Sequence, residues 1–153
     1  MLKMKYNLLP PGTYYIGCLF ELQSALKESS PYYELIDKIW KSLEKARFPD
    51  GIFLISSIPF FIGGTKYGDG IFTSFIKKGN KSFYPVFAQI SVDSGSIAAF
   101  PVPPKSEFNK SRIPSSIKKQ TRTFKKDFAS GVVKKAGVIV IGDVTIFTAQ
   151  PVE

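Results

Sequence analysis

The stretch GGTKYGDGIF, residues 63–72, sets one lysine and one aspartate among four glycines, a composition that could hold a phosphate or a metal ion. A P-loop requires Gly, four residues and then Gly-Lys-Ser/Thr before a helix, but Lys66 sits between the glycine pairs and an apolar strand pattern follows. A dinucleotide fingerprint requires a third glycine where Thr73 stands. Glycine supplies positive φ and aspartate bonds its local backbone, which is what a bend requires. The residues predicted to form this structural turn are Gly68, Asp69 and Gly70.

Aspartates in glycine-rich turns are the next candidates for chemistry. Asp69, Asp93 and Asp143 each lie in such a turn, and three converging carboxylates could bind Mg²⁺ or Ca²⁺. Asp beside Gly is also the commonest turn chemistry, so we interpret these residues, with Gly95 and Gly142, as structural turns. A small carboxylate-dependent or metal-dependent hydrolase that uses Asp69 and Asp93 is kept as an alternative.

The chain offers few groups for nucleophilic catalysis. It contains no histidine, which excludes Ser-His and Cys-His pairs. The single cysteine, Cys18, excludes an internal disulfide and a cysteine-cluster metal site, and its apolar surroundings predict a small buried residue. We therefore predict that the protein is not an enzyme and uses no catalytic residue, metal ion or cofactor.

The positive charge is confined to one segment. Residues 105–135 hold ten Lys and Arg against two acidic residues, a net +8 of the chain's +9. Its prolines predict an extended basic loop over residues 103–130 with a short helical turn in SSIKKQTRTF. Charge interleaved with Phe108, Phe124 and Phe128 could contact phosphates and stack on bases, whereas the same charge could dock on an acidic protein neighbour. The predicted anion-binding or partner-binding residues are Lys118, Lys119, Arg122, Lys125 and Lys126.

The remaining patterns predict a mainly β, α+β single domain over residues 1–153. Short apolar runs bounded by glycine and proline predict eight or nine strands in an antiparallel sheet, rolled or sandwiched, the first over residues 12–22. Apolar residues at helical spacing predict one covering helix over residues 31–47, capped by Ser30. Gly142-Asp143 and the loop KKGNK at residues 77–81 predict two hairpins.

The chain shows no targeting signal. The N-terminal apolar run is interrupted by Lys5 and Asn7, so it does not predict a secretion signal. The longest apolar stretch, residues 52–62, falls far short of the roughly 20 residues that a membrane span requires. We expect an intracellular protein, or a virion protein if the source is viral, that is not secreted.

Five phrases follow one another along the chain: GTYYIGCLF, the helix with Trp40, GTKYGDGIF, VDSGSIAAFPV and VIVIGDVTIFTA. In this order they resemble the motifs of an uncharacterised family of short proteins from bacteria, phages and large DNA viruses. The third and fourth phrases, which match Thr-x-Tyr-Gly-Asp-Gly-x-Tyr and Val-Asp-Ser/Ala-Gly-x-Ile, are the specific ones. The resemblance implies a compact, mainly β fold and no particular reaction.

The chain departs from that family pattern at its first motif. The family has Gly-Asp there, whereas Gly17 is followed directly by Cys18, and Phe20 and Phe72 stand where tyrosines are usual. We therefore predict a structural or interaction protein rather than an enzyme, a component of an assembly such as a viral particle, of the minor capsid type. Its expected partners are protein neighbours, with nucleic acid binding through residues 105–135 as the alternative.

Overall fold

A computed structural model describes residues 5–6, 8–66, 68–78, 82–125, 129–134 and 137–149. These residues form two six-stranded antiparallel sheets with helices on one side. The mainly β class and the antiparallel sandwich are confirmed.

The first sheet contains, in spatial order, β1 (Lys5–Tyr6), β4 (Gly51–Ile55), β5 (Ile58–Gly64), β8 (Ser96–Pro101), β3 (Gly12–Gly17) and β9 (Thr121–Phe124). The second sheet contains β2 (Leu8–Leu9), β10 (Ala129–Lys134), β11 (Val138–Ile141), β12 (Val144–Phe147), β6 (Gly70–Lys78) and β7 (Ser82–Val92). The helices are α1 (Leu19–Ala25), α2 (Pro31–Lys45) and α3 (Ser115–Lys118), with a 3-10 turn at Lys105–Glu107.

The first sheet is the middle layer of the molecule. Tyr15 on β3 packs with the helices, while its neighbours Tyr14 and Ile16 pack against the second sheet, because successive side chains of a strand point to opposite faces. Phe60 and Phe61 on β5 divide between the two cores in the same way. Both faces of this sheet are therefore buried, which explains why its strands read as continuous apolar runs.

The predicted helix is confirmed, ending two residues earlier than expected. The Ser30 hydroxyl accepts a hydrogen bond from the Tyr32 N–H at 3.1 Å, and Pro31 occupies the first turn, where a missing N–H costs nothing. The buried residues recur three and four apart and face the first sheet: Leu35, Ile36, Ile39 and Leu43. This amphipathic face holds α2 on the domain.

The predicted strand over residues 12–22 was wrong after Gly17. Cys18 keeps an extended backbone as the residue before α1, and a second covering helix begins at Leu19. Leu19 and Leu22, one turn apart, are both buried in the core between the helices and the first sheet. The helical period covers only seven residues, too few to separate from a short apolar strand by pattern alone.

The prediction of eight or nine strands was too low because four strands have weak local signals. β1 and β2 are two residues long, and β9 and β10 belong to the basic segment. Strands β1, β2 and β9 pair with strands distant in sequence: Lys5 pairs with Phe53, and Gly12 pairs with Phe124. Strand β10 pairs with β11, the next strand along the chain, and with β2. The predicted loop within residues 77–81 joins β6 and β7, and its residues 79–81 lie outside the described part of the chain.

Candidate functional site

The basic segment is built on the body of the domain rather than held as one extended loop. Phe108 and Ile117 are buried in the core between the helices and the first sheet. Main-chain hydrogen bonds tie it down further: Lys27 N–H donates to the Glu107 carbonyl at 2.9 Å, and Ile16 N–H donates to the Gln120 carbonyl at 2.7 Å. The segment carries a 3-10 turn, α3 and β9, so its backbone is fixed before any partner binds.

The cations of this segment project into solvent from that fixed backbone. We call the following six exposed residues the basic platform: Lys105, Lys110, Arg112, Lys118, Lys119 and Lys125. Within the described part of the chain, none of the six forms an ion pair. Lys126, predicted with them, lies outside the described residues. The platform therefore presents positive charge that no carboxylate of the described residues pairs with.

Helix α3 separates the platform into two clefts. One, of about 610 Å³, is lined by Lys110, Arg112 and Lys118 together with Asn109 and Ser115, and we call it the Arg112 cleft. The other, of about 650 Å³, lies between Lys119 on the α3 side and residues 87–89 of β7. The adjacent Lys118 and Lys119 thus serve different clefts.

Arg122 differs from the platform cations because it is already paired. Its Nε donates to Asp143 Oδ1 at 3.1 Å and its Nη2 donates to Oδ2 at 2.5 Å, a two-point contact. The hydrogen bond to Asp143 raises the pKa of Arg122. Asp143 sits with Gly142 in the two-residue turn between β11 and β12. The pair joins the edge strand of the first sheet to a hairpin of the second.

In the described part of the basic segment, the aromatic residues do not form a base-stacking surface. Phe108 is 0% exposed, so its ring is not available to stack on a base. Phe124 is half-buried against Tyr14, with ring centroids 6.0 Å apart. Phe128 lies outside the described residues. The described aromatic residues of the segment therefore pack in the two cores and anchor its backbone, and their rings do not add to the cationic surface.

A second polar region, at one end of the first sheet, brings together residues from three of the resembling phrases. The Cys18 thiol is buried and donates to Asp93 Oδ1 at 3.1 Å. Thr65 N–H donates to the Gly95 carbonyl at 3.0 Å. Asp50 Oδ1 accepts from Gly64 N–H at 2.8 Å. We call this region the polar end.

A buried hydrogen-bonded cluster continues the polar end into the core. The Tyr15 hydroxyl lies 3.1 Å from Glu21 Oε1, which also accepts from Gln120 Nε2 at 3.1 Å. Burial, and then the nearby Glu21 carboxylate, raise the pKa of Tyr15. A Cβ on Gly17 would lie only 2.6 Å from the Tyr15 hydroxyl oxygen, so a glycine is needed beneath the cluster. These residues assemble across 99 positions of sequence, and no local motif predicts them.

An aromatic cluster beside the polar end was also missed. Phe20 and Trp40 lie with ring centroids 4.6 Å apart, and Trp40 and Phe48 lie 6.5 Å apart. Phe48 is 57% exposed and has a left-handed backbone, with φ of 52°. The one sequence signal for this cluster was Phe20, which lies in the same phrase as Cys18. Its contact with Phe48 through Trp40 depends on where α2 ends, which the phrase does not contain.

The three aspartates do not converge on one site. Asp143 is paired with Arg122, Asp93 accepts from Cys18, and Asp69 is exposed. Among the residues that the structure describes, no group of three or more His, Cys, Asp or Glu side chains could hold a metal ion. Gly68 and Gly95, predicted as turn residues, both have positive φ, of 86° and 72°. Gly70 begins β6.

Comparison with known proteins does not assign the chain to a family. The chain matches no protein-family model, no curated protein and no solved structure at significant similarity. The family resemblance drawn from its five phrases therefore stays a prediction. None of the described helices has the length and apolar character needed to cross a membrane.

Proposed function

We propose that this protein is a non-enzymatic docking component of a larger assembly and that it binds an acidic protein neighbour through the basic platform. The observation that carries the proposal is the combination of a fixed backbone with unneutralised cations. Phe108 and Ile117 hold the segment in place, and the platform cations lack ion-pair partners within the described residues. A pre-organised surface loses less conformational entropy on binding than a loop that must first be ordered.

An acidic protein surface fits this platform better than single-stranded nucleic acid. Proteins that bind single strands combine a cationic groove with aromatic rings on which bases stack. Here Phe108 is buried and Phe124 packs on Tyr14. The adjacent Lys118 and Lys119 also open into separate clefts instead of one continuous track.

Duplex nucleic acid is the second candidate, since the backbone of a duplex is bound through phosphates and requires no stacking. The observation that favours it is that three platform cations line one cleft to which the described part of the chain contributes no carboxylate. The candidate hydrolase has less support. Of its two carboxylates, Asp93 accepts a hydrogen bond from the buried Cys18 thiol, and Asp69 is exposed.

The test compares two polyanions at increasing salt, by fluorescence anisotropy with labelled poly-L-glutamate and with a labelled DNA duplex of about 20 base pairs. A platform variant, with Lys118→Gln, Lys119→Gln and Lys125→Gln, is set against wild type. A control variant removes the same charge from the exposed face of α2, with Lys38→Gln, Lys41→Gln and Lys45→Gln.

We expect poly-L-glutamate to bind wild type in a salt-sensitive manner, to bind the platform variant at least about tenfold more weakly, and to bind the control within about twofold of wild type. Equal losses in the two variants would show that net charge alone is responsible and would overturn the proposal. Much tighter and more salt-sensitive binding of the duplex would indicate that the platform binds nucleic acid instead. If the protein comes from a viral particle, as the resembling family suggests, its neighbours there are the first partners to test.

A further inference from the structure

The Arg112 cleft combines three cations that come from two separate pieces of backbone. Lys110 and Arg112 flank a turn closed by the Ser111 N–H, which donates to the Phe108 carbonyl at 2.9 Å. Lys118 comes from α3, where its N–H donates to the Pro114 carbonyl at 3.0 Å. Convergence from two elements is not produced by a run of lysines in sequence, so the cleft is a feature of the fold.

The turn that aims these cations has an unfavourable backbone. Ser111 has φ of 50°, in the left-handed region that residues with a side chain seldom adopt. Strained backbone of this kind occurs most often where a binding or catalytic group must be positioned. Phe108, 0% exposed, fixes the residue from which the turn starts. The fold therefore holds Lys110 and Arg112 in place at a cost in backbone energy.

The lining of the cleft defines the chemistry of its ligand. The side chains of Lys110, Arg112 and Lys118 supply positive donors, and Asn109 and Ser115 supply neutral polar groups. Among the described residues, no Asp or Glu lines the cleft. Guanidinium groups match phosphate oxygens in two-point contacts, and lysine adds point charges. The cleft is suited to a compact anion with several acceptor oxygens.

A phosphate monoester fits this set better than a diester. A monoester carries about −1.5 to −2 charges at pH 7 and three terminal acceptor oxygens, close to one for each cation. A nucleic acid diester carries one charge and has two free oxygens. The apolar part of the lining, which includes Ile113 and Pro114, can contact the chain that bears the phosphate. We propose that the Arg112 cleft binds a phosphoserine or phosphothreonine of an extended protein segment.

The inference rests on the proposed docking function, because it places the phosphate on the protein neighbour. It is tested with a different ligand: a labelled peptide with one phosphoserine and otherwise uncharged residues, its unphosphorylated form, and a dinucleotide with one phosphodiester. Binding is measured by anisotropy and calorimetry to wild type, Arg112→Gln, Arg112→Lys and Lys41→Gln. Lys41 is the control for net charge, since it is exposed on α2 and lines neither cleft.

We expect the phosphopeptide to bind at least tenfold more tightly than its unphosphorylated form. Arg112→Gln should weaken binding by about tenfold or more, because charge-assisted hydrogen bonds are lost, and Arg112→Lys should weaken it less. Lys41→Gln should change the affinity by less than about twofold. Both positions, 112 and 41, are exposed, so the three variants should fold normally.

The pH dependence separates a monoester from a diester. The second pKa of a phosphate monoester lies near 6, so lowering the pH from about 7.5 to about 5.5 removes charge from the phosphopeptide and should weaken binding several-fold. Among the described residues, the charged side chains that line the cleft are Lys110, Arg112 and Lys118, and the chain has no histidine. The dinucleotide should show no such change.

Three results would overturn the inference: equal binding of the phosphorylated and unphosphorylated peptides, an equal loss in Lys41→Gln and Arg112→Gln, or tighter and pH-independent binding of the dinucleotide. The last would assign the cleft to nucleic acid. If the phosphopeptide does not bind but poly-L-glutamate does, the docking function stands and the phosphate site fails. The reverse pattern would support the cleft and reject the broader acidic platform.

Discussion

The polar end and the basic platform differ in how their polar groups are used. In the polar end the buried Cys18 thiol meets Asp93, and Asp50 accepts from a main-chain N–H. On the platform, Lys118 and Arg112 line a cleft, and neither forms an ion pair with a described residue. Groups that satisfy one another contribute to stability, whereas groups left to solvent remain available to a partner.

From sequence we predict the same division, with structural turns in the glycine-rich phrases and partner-binding residues in the basic segment. The glycine-rich phrases contain the residue types usually associated with phosphate or metal binding, and they supply the structural region. The basic segment, which resembles a solvated loop, is anchored in the core through Phe108 and Ile117 and carries the exposed charge. Variants that separate stability from binding therefore test whether the two regions have the roles assigned here.

The largest effect is expected where the platform is anchored. Phe108→Ala removes a fully buried ring from the core between the helices and the first sheet, and should lower the free energy of unfolding by about 3–5 kcal/mol. Chemical denaturation measures this change. Lys105→Ala, at an exposed position of the same segment, is the control and should stay within about 0.5 kcal/mol. A small effect of Phe108→Ala would mean that the platform is not part of the cooperative fold.

An intermediate effect is expected in the buried cluster that continues the polar end. Tyr15→Phe removes a hydroxyl that contacts Glu21, and at pH 8 should cost about 1 kcal/mol of unfolding free energy. The Tyr15 pKa is raised in the fold, so the unfolded chain loses this proton first. The contribution of Tyr15 to the unfolding free energy is therefore fully present below about pH 10. Above that pH it falls, on the order of 1 kcal/mol per pH unit.

Denaturation from pH 8 to 11.5 measures this alkaline loss of stability. Burial also raises the pKa of Tyr14, to about 12, so some loss above pH 10 should remain in Tyr15→Phe. The half-buried Tyr32 supplies the control, Tyr32→Phe, which should follow the wild-type profile. An unchanged slope in Tyr15→Phe would remove the buried cluster as its cause.

A smaller effect is expected at the Arg122–Asp143 pair, where one substitution should change both stability and polyanion binding. Both side chains are about one-third exposed, at 32% and 38%, so Asp143→Asn should lower the unfolding free energy by no more than about 1 kcal/mol. The same change releases Arg122 beside the platform and should raise poly-L-glutamate affinity about two- to threefold. Glu44→Gln, which removes one negative charge from the exposed face of α2, is the control for net charge. An equal gain in that control would mean that Arg122 adds nothing specific.

The fold could be read from sequence where the signal is local. Helix α2 has a cap at Ser30 and four buried residues at helical spacing, and both can be seen without knowledge of the rest of the chain. The function-related contacts are not local. Gly12 pairs with Phe124, and Arg122 meets Asp143 across 21 positions. Such contacts depend on which strands become neighbours, and composition alone does not contain that information.

Phe108 shows why the binding surface was harder to predict than the fold. In sequence it is an aromatic residue among lysines, the pattern of a base-stacking surface. In the structure its ring is buried, and the turn that it anchors directs Lys110 and Arg112 to one side. The basic segment was found from its charge, but the separation of Lys118 from Lys119 by α3 depends on tertiary structure.

The smallest change in stability is expected from relieving backbone strain at two serines. Comparing them should distinguish a strained turn that positions binding residues from one that only closes a hairpin. Ser111 in the platform and Ser57 in the two-residue turn between β4 and β5 both have left-handed backbones, with φ of 50° and 67°. Glycine adopts this conformation freely but is more flexible when unfolded, so either serine-to-glycine change should stabilise the fold by a few tenths to about 1 kcal/mol.

The two serines should differ in binding. Ser111→Gly loosens the turn between Lys110 and Arg112, and should weaken phosphopeptide binding about two- to fivefold because more freedom is lost when the ligand is bound. Ser57→Gly should leave that affinity unchanged. Paired denaturation and anisotropy measurements check both quantities. If the two variants bind equally well, the Ser111 turn closes a loop as the hairpin does, and the pre-organisation of the Arg112 cleft comes from Phe108 and α3 alone.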